Sequence, residues 1–230
     1  MKTVLITGAC GGIGRACLQL FRQNGYRTFA HCRTDEKAVE GDFFQADLSS
    51  VEETLALATH CLEQGGVDIL VNAAGAYPSP EGFTDMLIDE LDRVMAVNFK
   101  APLLLSQKLF PIMQERKWGR IINLSSIGVK YGGNPATIAY TASKSALETL
   151  TLALAKEGAP SNILANTIRV GVTNTLFHQK NPGKDMDARI KMIPLGRMAN
   201  PEEIARMVLF LAEEGGDFMT GSTITVAGGE

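Results

Sequence analysis

Long apolar runs are missing from this chain. The first of them, Val4-Leu5-Ile6, is three residues long, too short for a signal peptide or for a membrane span, which needs about 20. Runs of Lys and Arg are missing too: 22 basic against 25 acidic residues leave a formal charge of -3 and a pI near 5.7. Nothing in that balance recommends nucleic acid or an anionic membrane surface as a partner. The four cysteines, Cys10, Cys17, Cys32 and Cys61, lack any Cys-x-x-Cys spacing, and together with His31, His60 and His178 they make no metal-ligand pattern. They read as reduced, mostly buried small hydrophobes in a soluble cytoplasmic protein. No proline- or serine-rich linker, repeat or low-complexity tract divides the 230 residues, of which 45% are hydrophobic. A single domain with a sizeable core is the simplest organisation.

Short apolar runs recur between helix-length amphipathic segments. The runs are Thr3 to Thr7, Arg27 to His31, Asp42 to Ala46, Ile69 to Asn72, Ile121 to Leu124, Ile163 to Ile168 and Thr223 to Val226. Helices are expected over Gly14 to Gln23, Val51 to Glu63, Phe99 to Glu115, Ala139 to Glu157 and Pro201 to Leu211. This alternation predicts an α/β fold, a parallel sheet with crossover helices on both faces. The longest stretch without periodicity, residues 172–195, follows a predicted C-terminal strand on the ligand side of such a sheet, and its length favours a substrate lid over a plain surface loop.

The first strand runs directly into Thr7-Gly8-Ala9-Cys10-Gly11-Gly12-Ile13-Gly14, which opens the first helix. Glycines there let the backbone turn tightly and approach a pyrophosphate, whose charge then sits on the helix N-terminus. The spacing Gly-x-x-x-Gly-x-Gly differs from the commoner Gly-x-Gly-x-x-Gly fingerprint, but the strand-loop-helix context is the right one. At the end of the second strand an NAD site usually places a carboxylate, about 20 residues past the glycines, whereas an arginine suits the 2′-phosphate of NADP. Cys32 stands where that acid would be and Arg33 follows it, which favours NADP(H) over NAD(H). A shifted register bringing Asp35 or Glu36 to the same place would restore NAD, and Arg33 also has a plain reading as a solvated charge.

Tyr140 precedes Lys144 by one helical turn in Tyr140-Thr141-Ala142-Ser143-Lys144. Residues four apart share a helix face. A free phenol has a pKa of about 10, and a neighbouring ammonium favours the phenolate, easing proton transfer near neutral pH.

These pieces together resemble the short-chain dehydrogenase/reductase family over nearly the whole chain. Thr7 to Gly14 is similar to its Thr-Gly-x-x-x-Gly-x-Gly loop, and Tyr140 with Lys144 to its Tyr-x-x-x-Lys pair. Asp47-Leu48 resembles its adenine-pocket Asp, and Asn72-Ala73-Ala74-Gly75 its Asn-Asn-Ala-Gly turn. Asn98 falls at the family's catalytic asparagine and Ser126 at its catalytic serine. Pro194 to Arg197, Pro201 to Ile204, Thr220-Gly221 and Gly228-Gly229 resemble its C-terminal signature.

The resemblance implies a Rossmann-like, doubly wound α/β/α domain over 1–230, with about seven strands. It also implies hydride transfer between a nicotinamide and a ketone or secondary alcohol. Gly8, Gly11, Gly12, Ile13, Gly14, Arg33, Asp47, Leu48, Asn72, Ala74 and Gly75 would contact the cofactor. Thr175 would touch the carboxamide, and Tyr140 and Lys144 the nicotinamide ribose. Tyr140 would be the general acid or base, Ser126 would bond the substrate oxygen, and Asn98 would hold a relay water. A homotetramer, or a homodimer, built on the two long helices and the last strand is implied as well.

The chain departs from that pattern at Ala73, at Val170 before Gly171, at Ala227, and in the spacing of Ser126 to Tyr140. Within the class, a 3-oxoacyl-carrier-protein reductase is the familiar candidate. Ser161 replaces a basic docking residue of such enzymes, for which Lys117 and Arg120 could partly substitute. A non-catalytic dinucleotide sensor and a nucleotide-sugar epimerase are the other readings. Retention of all four catalytic residues weighs against the sensor, and the short region after Lys144 against the epimerase. Taken singly, Tyr140, Lys144, Ser126 and Asn98 also have plain readings: helix packing, a solvated charge, a strand-end turn and a helix N-cap. Arg169, His178 and Lys184 could read an acidic group, though exposed charge explains each. Trp118 suits an anchor at the start of the fifth strand, and Met186, Met192 and Met198 suit packing under the lid or an apolar pocket.

Overall fold

The computed structural model describes residues 1–34, 42–78, 82–175 and 185–230. Seven strands, β1 (Thr3–Thr7), β2 (Arg27–Cys32), β3 (Asp42–Gln45), β4 (Ile69–Asn72), β5 (Gly119–Ser126), β6 (Ile163–Val170) and β7 (Thr223–Val226), form one sheet. Their order is β3-β2-β1-β4-β5-β6-β7, and every pairing is parallel. Burial on both faces explains the unbroken apolar runs of the central strands β1 and β4, whereas the edge strands β3 and β7 are partly exposed. Val4 and Ile6 pack with α1 (Gly12–Gln23) and α8 (Pro201–Ala212), while Leu5 faces the opposite layer. That layer is built on α2 (Val51–Glu63), α4 (Ala101–Arg116) and α6 (Ile138–Gly158). The alternation of side-chain direction along a strand thus feeds two cores from one run.

Strand order reverses beside β1: β2 and β3 continue on one side, and β4 opens the other. Ligands of open parallel sheets bind outside the carboxyl ends of strands at such a point. Here those ends are Thr7 and Asn72, which are paired in register.

Local signals place the helix ends. Ser50 accepts a hydrogen bond from the Glu53 N–H to cap α2. Asn200 and Glu203 form a reciprocal capping box at α8, with Pro201 in its first turn.

Three elements lie outside the sequence-based expectations. Helix α3 (Ile88–Met95) carries apolar residues at helical spacing, Ile88, Leu91, Val94 and Met95, but it is short and buries only Val94. It runs into a π-helical turn, Ala96–Lys100, which delays α4 from the expected Phe99 to Ala101. Strand β5 runs from Gly119 to Ser126, longer at both ends than Ile121 to Leu124, because Arg120 and Ser125 are polar yet buried. Short helices also occur at α5 (Gly128–Tyr131) and, inside the aperiodic stretch, at α7 (Met186–Lys191).

Candidate active site

The glycine loop is dictated by close approach. Gly8 has φ +68°, and a Cβ there would lie 2.8 Å from the Ala74 Cα. A Cβ on Gly14 would lie 2.1 Å from the Gly8 carbonyl oxygen, and one on Gly12 would lie 2.5 Å from Thr175 Cγ2. Gly11 donates its N–H to the Gly8 carbonyl at 2.9 Å, and Ile13 packs on the core below. The first turn of α1 therefore presents bare N–H groups, with no acidic residue beside them. That arrangement suits an anionic pyrophosphate.

Thr7 joins this loop to the turn after β4. Its hydroxyl accepts the N–H groups of Ala73 and Ala74, each at 3.1 Å. Asn72, buried at the end of β4, donates to Asn123 Oδ1 at 2.7 Å. Asn123 donates in turn to Thr151 on α6, which also receives Thr167 of β6. This buried polar ladder ties three strands to α6 without the second asparagine that Ala73 replaces.

At the adenosine end, His31 is buried with both ring nitrogens engaged. Nδ1 accepts the Gly8 N–H at 3.2 Å, and Nε2 lies 2.9 Å from the Ala46 carbonyl. Burial holds its pKa below the usual histidine range. Arg33 is exposed at the end of β2, and its charge helps to lower the pKa of Asp47. The larger cause of that lowering is the hydrogen bond from the Ser49 N–H, at 2.9 Å. Asp47 thus shapes the turn before α2, over a buried Leu48. The expectation that every cysteine is a thiol fails here: Cys10 and Cys32 are disulfide-bonded, with Cα atoms 5.7 Å apart. Cys17 and Cys61 are buried thiols as expected, each pushed up to about 12 by desolvation.

Ser126, Asn98, Tyr140 and Lys144 converge from three elements. Ser126 ends β5, accepts the Gly128 N–H at 3.1 Å and hydrogen-bonds the Tyr140 hydroxyl. Lys144 is 4% exposed, and its ammonium donates to the Leu124 carbonyl at 2.8 Å. A Cβ on Gly75 would lie 3.9 Å from that ammonium and 3.7 Å from Asn98 Oδ1, so the turn after β4 closes over both. Asn98 lies inside the π-helical turn rather than at a helix start. Its Oδ1 accepts the Ala76 N–H at 2.7 Å, and its amide donates to the Ala76 carbonyl and to Ser143 Oγ, each at 2.9 Å. Both amide hydrogens are thereby used, which leaves the second lone pair of Oδ1 and the main chain for a water at this residue.

The electrostatics correct one simple expectation. Burial, not the ammonium, dominates the phenol: desolvation pushes Tyr140 up to about 12, Ser126 opposes this, and Tyr77 adds to it. The Tyr77 and Tyr140 rings lie 5.0 Å apart. Desolvation also brings Lys144 down to about 8. The pair is poised from both sides, a neutral acid beside an ammonium that is easily discharged.

The lesser candidates fall away from this centre. Arg169 forms an ion pair with Glu148 at 2.7 Å, so it is neither a free charge nor a reader of substrate. Arg120 is 1% exposed and bound to Asp217, so it cannot dock a partner. Trp118 anchors the start of β5, with the Lys2 ammonium 3.5 Å and the Arg120 guanidinium 4.3 Å from its ring. Met192 is 70% exposed rather than packed. Asp35, Glu36, His178, Lys184 and the middle of 172–195 lie outside the described residues. The flanks of that stretch are tied down: Thr173 bridges to Ala199, and Arg189 of α7 pairs with Glu230 at 2.5 Å. Val170 continues β6 to full length, and Gly171 packs against Ala227, where a Cβ would lie 2.6 Å from the Ala227 Cα. Val170 itself pairs with Val226, so two of the departures from the family pattern, Val170 and Ala227, stand on adjacent strands next to this contact. Sequence reading missed Thr7 as the clamp, His31 as the loop's partner and Tyr77 as the neighbour of Tyr140; only their contacts reveal them. Among the described residues no helix is long and apolar enough to cross a membrane, and no group of three His, Cys, Asp or Glu could hold a metal.

Known proteins resemble this chain in sequence and in fold. A family model described as enoyl-(acyl carrier protein) reductase matches residues 8–230. The 3-oxoacyl-[acyl-carrier-protein] reductase FabG of Thermotoga maritima is 33% identical, covering 99% of this chain and 97% of its own. The acetoacetyl-CoA reductase of Rhizobium meliloti is 35% identical, covering 100% and 98%. A solved structure described as a putative betaketoacyl-ACP reductase superposes with a TM-score of 0.88 at 32% identity, covering 99% of this chain and 97% of that one. Matched over its whole length in sequence and in fold, with a glycine loop at the switch point, this chain belongs to the short-chain dehydrogenase/reductase family and is an oxidoreductase.

Proposed function

We propose that the protein is an NADP(H)-dependent reductase of 3-oxoacyl thioesters, with Tyr140 as the general acid. The observation that carries this reading is the Ser126–Tyr140 hydrogen bond standing within reach of a buried Lys144, at the carboxyl ends of the central strands. The glycine cradle fits a dinucleotide: Gly8, Gly11, Gly12, Ile13 and Gly14 would hold the pyrophosphate. Asp47 and Leu48 would flank the adenine, Arg33 would pair with a 2′-phosphate, and Asn72, Ala74 and Gly75 would line the far ribose with Tyr140 and Lys144. Thr175, against Gly12, would meet the carboxamide. The bound nicotinamide supplies the hydride.

Reduction leaves negative charge on the carbonyl oxygen, so the protein must orient that oxygen and protonate it. Ser126 orients it by hydrogen bond. Tyr140 gives its proton, and the charged Lys144 stabilises the phenolate that results. Asn98 and Lys144 reload the proton from solvent. Residues 172–195 would close over the substrate. In the relatives, the names specify carrier-protein and coenzyme A thioesters of 3-oxo acids. With Arg120 buried and Ser161 uncharged, exposed Lys117 is the one basic residue left of those considered for carrier-protein docking, so the coenzyme A thioester is the better supported of the two here. The exposed apolar side chains Leu103 of α4 and Leu152 of α6 suit the helix faces of a homotetramer.

Steady-state assays with NADPH or NADH against acetoacetyl-CoA, a 3-oxoacyl carrier protein and simple ketones test this. Turnover of acetoacetyl-CoA with NADPH is expected. Absence of turnover with every carbonyl would sink the reading.

A further inference from the structure

The disulfide between Cys10 and Cys32 lies in a telling place. Cys10 sits between Gly8 and Gly12 in the loop assigned to the pyrophosphate, and Cys32 is the last residue of β2, directly before Arg33. The bond therefore joins the two segments that would hold the two ends of one adenosine diphosphate. The sulfurs are not equivalent: Cys32 is 1% exposed, whereas Cys10 is half-buried at the loop surface.

We propose that Cys10 and Cys32 form a thiol–disulfide modification site, oxidised by low-molecular-weight disulfides, whose state sets the affinity for NADP(H). The affinity half of this proposal rests on the dinucleotide reading above. The thiolate of accessible Cys10 attacks one sulfur of RSSR, forming a mixed disulfide and releasing RS⁻. The Cys32 thiolate then attacks Cys10 Sγ, closing the protein disulfide and releasing the second RS⁻. Both protons leave on the two RSH formed; two protein thiols are oxidised by two electrons and one RSSR is reduced. Cys32 suits the resolving role because it is held in a strand paired on both sides, to β1 and β3.

The loop has other tethers to the same strand. Gly8 donates to His31 Nδ1 and Ala9 to the His31 carbonyl, at 3.2 and 2.9 Å. Oxidation adds a covalent tether at the next residue, Cys10, where the loop turns toward α1. Reduction requires the two sulfurs to move from bonding distance to van der Waals contact, and the loop is the side free to move. A loop fixed beforehand loses less freedom when the dinucleotide binds, so the oxidised form binds more tightly. Cys17 and Cys61 are buried in the two core layers and do not compete for oxidant.

The test uses the whole protein, reduced with dithiothreitol or oxidised with glutathione disulfide. Intact mass and peptide mapping read the bond, and NADPH fluorescence titration reads affinity. The expected result is loss of the mass of two hydrogen atoms, mapped to Cys10–Cys32. The oxidised form should show an NADPH Kd lower by about threefold or more. Cys10→Ser and Cys32→Ser should each give a Kd that no longer responds to oxidant. A pair that remains reduced across all glutathione ratios overturns the site. A pair that oxidises with unchanged Kd, or with weaker binding, overturns the affinity claim. If neither form binds any dinucleotide, the reading of the loop has failed and the affinity claim with it, while the mass measurement still decides the thiol site.

Discussion

The ammonium of Lys144 lies 5.8 Å from the centre of the Tyr140 ring, close enough to act on the phenol but hydrogen-bonded to the Leu124 carbonyl instead. Burial, which raises one group to about 12 and lowers the other to about 8, makes the pH response of this pair specific. The acid stays protonated throughout the working range, and the charge that assists it is the group lost first. For carbonyl reduction, kcat/KM is expected to be flat below about pH 8 and to fall about tenfold per unit above it. Lys144→Arg, which stays charged, should remove that break; a break that persists in this variant would contradict the assignment.

The same two groups carry opposite stability trends. Lys144 has a folded pKa of about 8 against 10.5 unperturbed, so between those values the unfolded chain binds more protons and stability rises with pH. Tyr140 has a folded pKa of about 12 against 10.0, so above pH 10 the native state holds the extra proton and stability falls. Urea midpoints of the wild type and Lys144→Met, compared from pH 7.5 to 10 (about the span of the lysine shift), should differ in slope, the variant lacking the rise.

Tyr140→Phe removes the transferable proton while keeping the ring against Tyr77. A loss of about 10²–10⁴ in kcat is expected, with NADPH binding preserved. Unchanged activity would overturn the mechanism outright.

Gly12→Ala places a methyl 2.5 Å from Thr175 Cγ2. The variant should bind NADPH about tenfold more weakly. Because the clash is with a side-chain methyl, adding Thr175→Ser should recover much of the loss; no recovery would show that the alanine acts through the backbone.

Arg33→Ala should raise the KM for NADPH about tenfold, the worth of a charge-assisted hydrogen bond, and leave that for NADH unchanged. Equal effects on both cofactors would assign Arg33 to the surface charge alone.

Thr7→Val leaves the Ala73 and Ala74 N–H groups without their shared acceptor. About 2 kcal/mol of stability should go with it, read as a lower urea midpoint at constant slope. No change in midpoint would show that Thr7 is dispensable to the turn.

Much of this fold is legible without coordinates. Thr3–Thr7, Ile69–Asn72, Thr223–Val226 and Val51–Glu63 occupy the spans that apolar runs and capping residues predict, because the signals that bound each of them lie within the segment itself. The π-helical turn at Asn98 does not show in the pattern, since a five-residue hydrogen-bond register leaves no 3.6-residue period; α3 does carry that period, at Ile88, Leu91, Val94 and Met95, but over eight residues only, and sequence reading passed over it.

The chain's order of residues determined the alternation of strands and helices, the glycine loop and the Tyr140-Lys144 turn, all set by local spacing. Tertiary structure alone decided which cysteines meet, that Arg120 is buried and Arg169 paired, and that burial overrides the ammonium in setting the phenol. Solvent exclusion and cross-strand contact are produced by packing residues that lie far apart in the chain, and no local spacing encodes them.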